Sequence, residues 1–74
     1  MSSDIKYTCA DMILADAIED LANEENISIE EARNRLLGSK AYDCLYDLES
    51  NLWMEGPDYF LDFYRIVEEN NREN

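Results

Sequence analysis

Apolar residues recur at helical spacing in four successive stretches of this chain, while only two glycines and one proline occur among its 74 residues. Few breakers and a 3.6-residue period together select helices over strands. The prediction is an all-α protein, a compact bundle of about four short helices forming a single domain over residues 1–74. No internal repeat, low-complexity tract or linker divides it. The polar end, residues 69–74, is expected to fray.

The first helix is predicted from Ser3 or Asp4 to about Asn23. Ala10, Ile13, Leu14, Ala17, Ile18 and Leu21 line one face, with Asp11, Asp16, Glu19 and Asp20 mostly opposite. Glu24, Glu25 and Asn26 read as a turn. Ser28 is a favourable N-cap, and Glu31 completes a capping-box pattern, with Ile27 and Ala32 spaced as a hydrophobic staple. Glu30 and Glu31 early and Arg33 and Arg35 late suit the helix dipole. Leu36 and Leu37 form the buried end, and Gly38 is expected to stop this helix in the left-handed conformation. Ser39 caps a third helix predicted to reach Met54, with Ala41, Leu45, Leu48 and Leu52 facing inward. Gly56-Pro57 is the next boundary, Pro57 suiting the first position of a fourth helix. That helix carries Phe60, Phe63 and Val67, flanked by Tyr59, Tyr64 and Ile66.

So small a chain buries a modest share of its surface, and small scaffolds lean on a disulfide, a metal, regular packing or a partner. Cys9 and Cys44 allow one bridge at most. No basic-then-apolar leader is evident, so reduced thiols acting as small hydrophobes are expected, in the cytoplasm. No apolar run approaches the roughly 20 residues that span a bilayer. Eighteen acidic against six basic side chains give a net charge of −12, which disfavours direct contact with nucleic acid or anionic lipid. A composition 46% apolar and 11% aromatic is too rich for a disordered acidic tail.

The parts for catalysis are missing. There is no histidine, the commonest base near neutral pH, and no basic cluster beside either cysteine to activate a thiolate. Two glycines cannot build a phosphate loop. No window has EF-hand spacing, and carboxylate-histidine pairs for a di-iron bundle are excluded. Asp16 with Asp20, or Asp43 with Asp47, could attract a divalent ion weakly, but a solvated acidic face is the simpler reading. Paired acids for glycoside hydrolysis find little cleft in a helical chain of this size. The expectation is a non-enzyme with no cofactor and no resident metal.

A second row beside the third helix's inward stripe, Tyr42, Tyr46 and Trp53 with Glu49 interrupting, has the same spacing and widens the apolar arc. Either the bundle buries both rows, the simpler fate for Tyr42, or Tyr46 and Trp53 project outward as binding anchors. The acidity also reads two ways. It can be a solubilising surface, or ordered carboxylates, with Asp16, Glu19 and Asp20 on one face, can imitate a phosphate backbone.

Ile27-Ser28-Ile29-Glu30-Glu31-Ala32, and Leu52-Trp53-Met54-Glu55-Gly56 before the last helix, resemble elements of a family of short bacterial helical proteins of unknown function. The resemblance covers residues 12–67. In that family the second element has a polar histidine-threonine pair where this chain has Trp53 and Met54. Some members are encoded beside toxin-like enzymes, so the resemblance implies a neutralising or regulatory binding role.

Together these features predict a cytoplasmic protein of bacterial or mobile-element origin that binds another protein as an antitoxin-like or regulatory subunit. The interface is predicted around Tyr46, Trp53, Met54 and Tyr59, with acids steering a basic partner. The alternatives are an acidic DNA mimic that inhibits a nucleic-acid-binding protein, and a structural homodimer.

Overall fold

A computed structural model describes the chain from Ser3 to Glu73, and its side chains from Ile5 to Asn70 apart from Leu48. It is all-α. Helix α1 spans Ser3–Glu25, α2 Ile29–Leu37, α3 Lys40–Tyr46 and α4 Pro57–Glu73. Two 3₁₀ turns, Leu48–Ser50 and Leu52–Met54, join α3 to α4. Asn74 and the side chain of Leu48, predicted to face inward, lie outside the described residues. Helix α4 continues through the polar stretch up to Glu73.

Helix α1 is the platform on which α2, α4 and the second 3₁₀ turn pack. Its 23 residues rise about 34 Å at 1.5 Å each, matching the longest dimension of the 37 × 27 × 17 Å molecule. Ala10, Ile13, Ala17, Ile18, Leu21 and Ala22 form its buried face, meeting Ala32, Leu36, Ala41, Leu45, Leu52, Phe60, Leu61 and Tyr64 in one core. The small residues Ala10, Ala17, Ala32 and Ala41 are fully buried. They let backbones approach and leave the space between helices to Leu36, Leu45 and Phe60.

The junctions follow from cap chemistry. Helix α1 runs two residues beyond its predicted end because Asn26 takes a left-handed conformation, φ 55°. The Ile27 N–H then donates to the Ala22 carbonyl at 3.0 Å, a Schellman closure. Ser28 accepts from the Glu31 N–H at 3.0 Å, as its pattern predicts, while the Glu31 carboxylate takes Arg35 at 3.2 Å. Gly38 departs from expectation, with φ −88° and ψ 4° rather than a left-handed conformation. The next cap explains why. The Ser39 N–H reaches the Leu36 carbonyl at 3.2 Å, its hydroxyl donates to the same carbonyl at 2.7 Å, and its Oγ accepts from the Tyr42 N–H at 3.3 Å. One serine thus closes α2 and opens α3, and no reversal of handedness is needed.

The third helix is shorter than its periodicity predicts, ending at Tyr46 instead of Met54. Asp47 leaves helical geometry, and its carboxylate accepts from the Glu49 N–H at 3.1 Å. The Ser50 hydroxyl lies 2.6 Å from the Cys44 carbonyl and 2.8 Å from that of Asp47, and its Oγ accepts from the Leu52 N–H at 3.3 Å. Asn51 adopts φ 61° and ψ 12°. Asp, Ser and Asn offer the backbone local partners that compete with helical bonds, and Asn tolerates the left-handed region. Three in five positions outweigh the apolar spacing.

The fourth helix begins as predicted. Gly56 holds φ 94°, its carbonyl accepts from the Phe60 N–H at 3.2 Å, and Pro57 takes the first helical position. Its inward face is rotated from the expected one, however. Phe60, Leu61 and Tyr64 are buried, Phe63 and Val67 are half-buried, and Tyr59 and Ile66 are exposed.

Candidate functional site

The break in the third helix decides where Trp53 and Met54 go. On one continuous helix Trp53 would follow Tyr42 and Tyr46 along a single flank, with Met54 about 80° round from Tyr46. With left-handed Asn51 between two 3₁₀ turns, Leu52 enters the core and the second turn lies on α1. Trp53 and Met54 now line a shallow groove of about 270 Å³ with Cys9, Met12, Ile13, Asp16, Gly56 and Pro57. Trp53 is half-buried and packs on the core. Met12 and Met54 are 64% and 65% exposed, so two flexible thioethers border an indole that is only partly covered. Lys6 Nζ lies 5.4 Å from the Trp53 ring centroid, within cation–π range.

On the α1 side of this groove, Met12 is missing from the sequence prediction and Cys9 entered it only as a small hydrophobe. Ile5, Cys9 and Met12 stand at i, i+4 and i+7, a second apolar stripe beside the stronger one through Ala10, Ile13 and Ala17. The signal was present at helical spacing, but the richer stripe masked it. Both Cys9 and Cys44 carry free thiols and are half-buried, less enclosed than small core hydrophobes.

Tyr46 belongs to a neighbouring cluster. Its hydroxyl donates to Asp11 Oδ1, joining α3 to α1. Its ring stacks on Tyr7 with centroids 6.1 Å apart and tilts against Tyr42 at 5.0 Å. Burial, the Asp11 hydrogen bond and nearby negative charge raise the Tyr46 pKa well above the ordinary tyrosine value. Tyr59, 51% exposed on α4, does not line the groove. Of the four aromatic and thioether residues singled out, the fold brings together Trp53 and Met54, sets Tyr46 in a hydrogen-bonded inter-helix contact, and leaves Tyr59 separate.

The three acids on α1 also divide. Asp16 is exposed at the groove's edge, Glu19 is exposed, and half-buried Asp20 faces the crevice between α1 and α4. That crevice, about 490 Å³, is lined by Asp20, Asn23, Glu24, Asp58, Leu61, Asp62 and Arg65. Arg65 pairs with Glu24 and lies 4.0 Å from Asp62. The hydrogen bond to Glu24 raises its pKa.

Among the described residues no group of three or more His, Cys, Asp or Glu side chains could hold a metal ion, and no buried side-chain N or O atom lacks a partner. No helix among them is long and apolar enough to cross a membrane. What the arrangement offers is contact surface, a Met-bordered aromatic groove with carboxylates beside it. No known protein family, characterised protein or solved structure matches this chain.

Proposed function

We propose that this chain is a non-enzymatic protein-binding domain of a bacterium or mobile element, acting as an antitoxin-like or regulatory subunit in the cytoplasm. The observation that carries this reading is the pair of exposed methionines, Met12 and Met54, that line one groove with half-buried Trp53. Methionine adapts its shape to a partner at little cost, and tryptophan is enriched among residues that dominate binding energy. The charge of −12 steers a basic partner and speeds association more than it deepens affinity.

Capture of host proteins on the tagged chain, washed at low and then high salt, tests this reading when repeated with Met54→Glu. The expected result is a partner that survives high salt on the wild type and is lost from the variant. A partner retained equally by both variants removes the groove from the interface. One released by salt from both, and lost when Asp16, Glu19 and Asp20 are neutralised, favours the DNA mimic. No partner, with twice the 8.7 kDa chain mass by light scattering, favours the homodimer.

A further inference from the structure

The outer stripe of α1 changes character along its length. Lys6 lies over Trp53 at one end; Cys9 and Met12 line the groove; Asp16 closes its edge; and Glu19 and Asp20 follow one turn on. From Met12 to Glu19 the rise is about 10 Å. The chain opposite the groove adds exposed Glu55 and Asp58 beside Met54 and Pro57. Along this flank of α1 the apolar trough is therefore followed by carboxylates, Asp16 at its edge and then Glu19 and Asp20, the last also lining the α1–α4 crevice, with Lys6 at the other end.

Resting on the reading of this groove as a protein-binding site, we infer that its occupant is an amphipathic helix of a basic protein, polarised along its length. Its large apolar side chains, at i, i+3 or i+4 and i+7, fill the trough between Met12, Trp53 and Met54. Its lysines or arginines sit one to two turns to one side and face Asp16, Glu19 and Asp20. Lys6 fixes the direction, because a helix docked the other way brings its basic end against like charge and leaves the carboxylates unmatched. A second copy of this chain is a poor occupant, since two molecules of charge −12 repel where the partner's charge is required to be opposite.

Trp53 is the sole tryptophan, so its emission reports on this groove alone. The probe is a synthetic helical peptide of about 18 residues, long enough to hold a helix, with leucines at those spacings and lysine and arginine confined to one end. The control replaces the basic residues with glutamate. The inference predicts a saturable blue shift of Trp53 emission with the basic peptide and at least roughly tenfold weaker binding of the control. The D16N/E19Q/D20N variant is expected to lose most of that preference while still binding.

Equal binding of both peptides overturns the basic-helix assignment and leaves an apolar binding groove. So does a lack of response to either peptide while Met54-dependent capture of a host partner persists. If that capture also fails, the reading of the groove as a binding site falls with it. A blue shift that grows with protein concentration in the absence of peptide identifies a second copy as occupant and overturns the inference.

Discussion

Tyr46 shows how one side chain can be both apolar filler and a polar tie. Its ring lies between Tyr7 and Tyr42, and its hydroxyl spans 35 positions of sequence to Asp11. Because folding raises its pKa, the folded state holds the phenolic proton more tightly than the unfolded chain. The resulting stability is fully present below the unfolded tyrosine pKa of about 10 and is lost as pH rises toward the folded value. Urea denaturation as a function of pH is expected to show stability falling above about pH 10, with a shallower fall in Tyr46→Phe. Phe60 marks the opposite extreme, a fully buried ring at the centre of the core. Phe60→Ala is predicted to cost about 3–5 kcal/mol, a large part of the stability of a small domain, and thermal melting by circular dichroism reads it directly. Met54→Glu, on a largely exposed side chain, is expected to leave the melting temperature nearly unchanged. That contrast makes it a cleaner probe of binding than Trp53→Ala, which also removes packing.

At the level of elements, the segment from Asp47 to Met54 controls the site. Helices α1, α2 and α4 and their serine and proline starts were legible, because capping patterns and apolar stripes agreed on them. The third helix was overextended because the spacing of Leu45, Leu48 and Leu52 fits a helix even where Asp47, Ser50 and Asn51 bond to the backbone locally. The same error set Trp53 in line with Tyr46 instead of against Met12. The α4 face was misjudged by one position for a different reason. Nearly every residue from Tyr59 to Val67 is apolar, so periodicity says little about which side the core takes. If Asn51 is the hinge, Asn51→Gly is expected to be neutral or slightly stabilising in chemical denaturation. Asn51→Val, a β-branched residue forced to positive φ, is predicted to cost about 1–2 kcal/mol and to shift Trp53 emission by loosening its seat on α1. A variant at Asn51 that changes stability but not Trp53 emission would separate the hinge from the groove.

The molecule as a whole is thin. Its radius of gyration of 12.1 Å is close to the roughly 11 Å of a compact chain this long, and its shortest backbone extent, 17 Å, is that of two helix layers packed about 8–10 Å apart. Helices in so flat a body are covered mainly on one side. Met12, Met54, Tyr59 and Ile66 therefore stay exposed, although the chain has apolar residues enough for a full core. A charge of −12 opposes self-association of such a surface, and the proposed function predicts that partner association slows as salt rises, while dissociation from the apolar groove changes little. Stopped-flow mixing across a salt series separates the two rates.

The most direct measurement is the affinity of the captured partner for wild type, Met54→Glu and Trp53→Ala, each first shown to be helical. A groove anchored on Trp53 predicts a loss of about 2 kcal/mol or more for Trp53→Ala, roughly thirtyfold in Kd, and a clear loss for Met54→Glu. Undiminished affinity in both folded variants would contradict the assignment of this groove as the binding site.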